Sequence, residues 1–139
     1  MQPPTPSTLA PGKLDATYPG RADQIRLVRA DLRALLVGSP LADDVILCAS
    51  ELAANAVLHS RSRRSGGTFT VRAAVHEHVY ARVEVQDNEG PWTTSASCAE
   101  AGRHGLDIVQ ALASEWGIEG NDACHIVWVS LDWPQPESR

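Results

Sequence analysis

Cysteine is scarce: Cys48, Cys98 and Cys124 are the only three in 139 residues, widely separated and without Cys-x-x-Cys spacing. That excludes a disulfide framework and a zinc site built on paired cysteines, so reduced thiols are expected, two of them in the core. No apolar run reaches membrane-spanning length. The start, Met1-Gln2-Pro3-Pro4-Thr5-Pro6, has neither the basic nor the apolar region of a signal peptide. The expected location is cytoplasmic. Positive charge is also in deficit, with 12 Lys+Arg against 17 Asp+Glu, a net charge of −5 and a pI near 5.4. Without a broad cationic surface, direct nucleic-acid or membrane binding is not expected, which leaves a protein or a small ligand as partner.

The length suits one domain with a real core. Residues 1–13, rich in Pro, Thr and Ser, read as a disordered leader. Residues 14–133 read as the domain and 134–139 as a flexible tail. A short strand over Leu14–Tyr18 stops at Pro19-Gly20. From Asp23, Ile25, Val28, Leu32, Leu35 and Leu36 follow helical spacing, with Arg26, Arg29 and Arg33 on the remaining faces. Such a basic stripe is either a solvated face or a surface for an acidic partner. Gly38-Ser39-Pro40 breaks this helix. A second runs from about Leu41 to near His59, with Asp43 and Asp44 suitably placed in its first turn.

The loop Ser60–Gly67, with Arg61, Arg63 and Arg64, reads as a solvated turn. Period two then predicts a hairpin: Phe69, Val71, Ala73 and Val75, a reversal at Glu77-His78, and Val79, Ala81, Val83 and Val85. A loop over Asn88–Arg103 is long for a compact domain and has the length of a lid. A third helix is expected from about His104, with Leu106, Ile108, Val109 and Leu112 apolar. Strands over Glu115–Ile118 and Cys124–Leu131 follow. The order predicts an α/β (α+β) two-layer sandwich, a mixed, largely antiparallel sheet with helices packed on one face.

Three places carry chemistry. Within Ser50-Glu51-Leu52-Ala53-Ala54-Asn55-Ala56-Val57-Leu58-His59, an apolar helix gives Glu51, Asn55 and His59 to one face at i, i+4 and i+8. A carboxylate and a carboxamide one turn apart make a proton acceptor beside a hard oxygen ligand, suited to Mg²⁺. His59 is read as structural, since a helix C-terminus favours histidine. Asp87 shares its parity with Val79, Ala81, Val83 and Val85 and should be buried, where a carboxylate needs a partner. It either caps the following loop or accepts from a ligand amino group, with Gly90 allowing close backbone approach. Gly102-Arg103-His104-Gly105-Leu106 enters a helix as either an ordinary turn or an anion site.

In that order, these motifs resemble the Bergerat-fold ATPase superfamily of gyrase, heat-shock chaperones, histidine kinases and MutL. Within it they resemble the bacterial anti-sigma factor serine/threonine kinases. Glu51-Leu52-x-x-Asn55-Ala56-Val57-x-His59 matches the N-box. Val85-x-Asp87 with Gly90 resembles the adenine box, and Gly102-x-x-Gly105-Leu106-x-Ile108-Val109 the phosphate box. Ala113-Ser114-Glu115-Trp116-Gly117 and Val127-Trp128 also resemble the subfamily. The resemblance implies ATP and Mg²⁺ as cofactors, with Glu51 the general base, Asn55 the metal ligand and Asp87 the acceptor of the adenine amino group. Gly102, Arg103, His104, Gly105 and Leu106 would contact phosphate. It also implies a protein partner, an anti-sigma antagonist and/or a sigma factor, and a homodimer. The chain departs from the family pattern at Glu89, where glycine is usual, and at Ala54 and Ile126, where many relatives have threonine. These departures motivate an alternative, a nucleotide-gated partner-binding regulator without kinase turnover.

Of the other residues, His76 and His78 share a strand face in an HxH pattern but lack further metal ligands. Trp116, Trp128 and Trp133 are read as packing residues, and Trp92 as part of the lid.

Overall fold

The computed structural model describes residues 12–59, 67–87, 107–120 and 125–134. Most of the leader and tail, Arg61, Arg63, Arg64, the expected lid with Trp92, Cys98 and Cys124 lie outside the described residues.

Five strands form one sheet: β1 (Lys13–Pro19), β2 (Thr68–His76), β3 (Tyr80–Asp87), β4 (Glu115–Gly120) and β5 (His125–Asp132), in the order β1-β2-β3-β5-β4. Every pairing is antiparallel. Because β5 is inserted between β3 and β4, those two strands run parallel without touching, the arrangement a helical crossover produces. A 3-10 turn (Ala22–Gln24) leads into α1 (Ile25–Leu35), and α2 spans Ala42–His59. Residues 107–112 are also helical.

The helix-facing side of the sheet follows from register. Leu14, Ala73 and Val83 lie abreast, as do Tyr18, Phe69 and Asp87, and Val85 faces Val127. The α1 residues Val28 and Leu32 and α2 residues Val45, Ala49, Leu52 and Ala56 close on this face, all buried. Each fully buried Val, Leu or Phe contributes roughly 1.5–3 kcal/mol, so this layer fixes α2 on the sheet. The opposite face is polar: Arg72 reaches Glu84 (3.1 Å), Gln86 (2.8 Å) and Asp15 (3.6 Å).

Two expectations change. Val79 was placed on the buried face, but it belongs to the turn before β3 and is 58 % exposed. His78 takes φ +67°, and this left-handed residue ends the alternation one position later than the sequence suggests. His76 and His78 do not share a strand face either. His76 stacks on Tyr80 across the hairpin (4.6 Å between centroids), whereas His78 lies against Trp133 (5.4 Å). Among the described residues no group of His, Cys, Asp or Glu is placed to hold a metal, and no helix is long and apolar enough to cross a membrane.

The tryptophans do pack, on both faces. Trp116 joins the core cluster. Trp128 lies on the outer face over Gly117, with the Arg82 guanidinium 4.4 Å from its ring centroid.

Candidate functional site

The α2 helix is buried over most of its circumference, because Val45, Cys48, Ala49, Leu52, Ala53, Ala56 and Val57 leave only a narrow uncovered stripe. Glu51 and Asn55 fall at its border, both half-buried. Neither makes a hydrogen bond or ion pair among the described residues. One turn earlier the buried thiol of Cys48 is pushed up to about 11, by desolvation first and then by the charges of Asp44 and Glu51. It therefore stays protonated and unreactive near neutral pH. The side chain of His59 lies outside the described residues.

Topology sets Asp87 relative to this stripe. The α2 helix ends at His59 and β2 begins at Thr68, joined by eight residues, so the end of α2 lies near the start of β2. Phe69, one residue into β2, is registered against Asp87, the last residue of β3. Asn55 and Asp87 thus belong to the same end of the molecule. Asp87 is 2 % exposed, on the helix-facing side, with Phe69 and His125 beside it in the sheet. It already has an interaction partner. A carboxylate offers about four lone-pair directions, so one partner does not exhaust it.

The third element is seen in part. Gly90, Gly102, Arg103, His104, Gly105 and Leu106 lie outside the described residues. The helical run 107–112 buries Val109 completely, as the apolar pattern requires. Ser114, just beyond it, donates its N–H to the Ser130 carbonyl (2.8 Å), at the Glu115 end of β4. That is the end opposite Asp87, so this helix starts on the Asp87 side and runs away from it. A carboxylate and carboxamide on one helix, a buried carboxylate at a strand end and a helix starting nearby thus come from three separate segments.

Of the three departures, Ala54 is half-buried in α2 and Glu89 lies outside the described residues. Ile126 is registered against Gln86 on the outer face, away from α2.

Sequence reasoning missed one feature beside Glu51. The Arg29 Nε donates to Ser50 Oγ (2.9 Å), and Ser50 Oγ in turn donates to the Ile46 carbonyl (2.7 Å). This chain ties α1 to α2 at the residue before Glu51. Arg29 follows the same spacing as Arg26 and Arg33, so only the position of Ser50, a polar residue on an apolar helix, hinted at it.

Comparison with known proteins agrees with this layout. Residues 18–131 match the histidine kinase-like ATPase domain. None of the curated proteins searched matches the chain. Among solved structures, it is similar to the crystal structure of the RsbU and RsbW domains of a Mycobacterium tuberculosis protein. The TM-score is 0.66 and the identity 26 %, over 88 % of this chain and 33 % of that one. The chain therefore spans about a third of the length of that relative. An antiparallel five-stranded sheet with helices on one face, Glu51 and Asn55 on one helix and a match over most of the length lead to one conclusion: the chain belongs to the histidine kinase-like ATPase domain family, with the Bergerat ATP-binding fold, and resembles the anti-sigma factor kinases.

Proposed function

We propose that this protein is an ATP- and Mg²⁺-dependent serine/threonine protein kinase that phosphorylates an anti-sigma antagonist. The observation that carries this reading is the stripe of Glu51 and Asn55 on α2, at the same end of the molecule as the buried Asp87. Asn55 fits a magnesium ligand: its amide is half-buried, has no hydrogen-bond partner among the described residues, and offers a hard oxygen. Magnesium prefers a few protein oxygens completed by phosphate and water to an all-protein cage. When bound, the ion would neutralise charge on the phosphates.

The chain's own residues would divide the remaining work. Asp87 accepts a hydrogen bond from the adenine amino group, and the glycine-rich segment from Gly102 to Leu106 contacts phosphate. Glu51 takes the proton from the acceptor hydroxyl as its oxygen bonds to the γ-phosphorus and the bond to ADP breaks. Burial on α2 limits the rotamers of Glu51 and so favours one direction of approach.

Labelled ATP, Mg²⁺ and the antagonist-domain proteins of the same genome provide the test. Phosphotransfer should disappear in Glu51→Ala while nucleotide binding persists, and Asn55→Ala should lose the metal dependence of binding. Ala54, which places no hydroxyl beside Asn55, favours a second reading: nucleotide-gated capture of a partner without turnover. ATP binding and nucleotide-dependent capture without transfer would select that reading. No nucleotide binding at millimolar concentration would refute both.

A further inference from the structure

The described arginines divide into two groups. Arg21, Arg72 and Arg82 are ion-paired with carboxylates within 4 Å. Arg26, Arg29 and Arg33 have no such pair among the described residues, although the chain carries an excess of acid. The one acid of α1, Asp31, is taken by the Tyr18 hydroxyl at 2.6 Å. The ridge is therefore left without a carboxylate of its own.

Its placement is specific. At i, i+3 and i+7 the three arginines share one side of α1. The middle one is fastened to Ser50, adjacent to Glu51, so the ridge borders α2 at the level of the candidate base. The rest of the outward face is small or apolar: Ala30 and Ala34 are exposed, and Leu27 is 42 % exposed. A cationic edge beside a low, partly apolar strip fits an acidic, amphipathic segment of another protein and gives a bare polyanion fewer contacts.

We propose that the outward face of α1 is the docking surface for an acidic segment of the acceptor protein, held by Arg26, Arg29 and Arg33 with Leu27 against its apolar side. This rests on the kinase reading for the identity of the acceptor, but docking is measured without turnover. Arg29, fixed by Ser50, aligns the docked segment with the helix that carries Glu51.

The test is binding of the antagonist-domain proteins of the same genome to the full chain with ATP and Mg²⁺, followed by calorimetry at two salt concentrations. The double variant Arg26→Glu/Arg33→Glu touches no residue of the ATP site, and both positions are exposed. It should keep its circular dichroism and its ATP affinity, weaken acceptor binding about tenfold or more, and flatten the salt dependence. Lys13→Glu, an exposed cation at the far edge of the sheet, should leave acceptor binding as it is. Acceptor binding indifferent to the double reversal overturns the docking surface and leaves the kinase reading standing. A change from dimer to monomer in the double variant assigns the face to self-association and overturns it too. If ATP binds but no acceptor does, this proposal and the kinase reading fall together.

Discussion

Replacing Gly117 by alanine should destabilise this protein, the reverse of what the same change does in an open strand. A Cβ built at Gly117 lies 2.8 Å from Trp128 Nε1 and 2.9 Å from Cε2 and Cζ2. Ordinary carbon contacts lie near 3.5–4.0 Å, so the indole would have to move by roughly 0.7–1 Å. It cannot bend, and Arg82 covers its ring at 4.4 Å. Overpacking of this kind costs about 1–3 kcal/mol. Relief of glycine's excess unfolded-state entropy offsets roughly 0.5–1 kcal/mol of it. The net expectation is a loss of about 1–2 kcal/mol in Gly117→Ala, read as a lower urea midpoint at constant m. In a Trp128→Ala background the obstruction is gone, and Gly117→Ala should be neutral or stabilising by about 0.5–1 kcal/mol. An equal effect of Gly117→Ala in both backgrounds would refute the reasoning, because the cost would then not come from the indole.

Other expectations follow from single contacts. Tyr18→Phe keeps the stack on Phe69 (5.5 Å) but removes the hydroxyl bond to Asp31, and should cost about 1–2 kcal/mol in urea unfolding. Cys48 titrates near 9 when unfolded and is pushed up to about 11 when folded, so its contribution is intact below pH 9 and lost as pH rises through 11. Two pH units correspond to roughly 3 kcal/mol, and Cys48→Ala should flatten that part of the stability curve. Burial and Asp31 raise Tyr18 in the same sense, so a further loss at still higher pH should persist in that variant. At His78, φ +67° suits asparagine and strains β-branched residues, so His78→Val should cost about 1–2 kcal/mol and His78→Asn much less in thermal melts.

How much could be read in advance depended on the period of each element. Burial in α2 follows a regular helix, so Glu51 and Asn55 could be assigned to one face from spacing alone. Strand parity placed Asp87 inside, and the structure leaves it 2 % exposed. Parity failed for Val79, because alternation does not reveal where a turn stops and His78 is not a residue that announces a left-handed backbone. Trp128 occupies the outer face, which a rule assigning large aromatics to the core does not anticipate; only the nearby glycine, Gly117, leaves room for it. The Arg29–Ser50 link joins two helices, and helical spacing carries no information about which faces of separate helices meet. The part of the site proposed for phosphate, Gly102 to Leu106, was inferred from motif order and lies outside the described residues.

The insertion of β5 between β3 and β4 also governs how the chain can reach this structure. Two pairings are hairpins, β2 with β3 and β4 with β5, and each can zip locally. The other two are distant in sequence: Lys13 meets Ala74 only after both long helices have been made, and Asp87 meets His125 across the whole crossover. Loop closure must precede the reward from those contacts, so the two hairpins assemble early and their docking limits the rate. Until β5 arrives, one edge of β3 is bare, the edge that ends in Asp87. The nucleotide end of the sheet is thus completed by a late, long-range folding event, and a ligand held there would stabilise the final step.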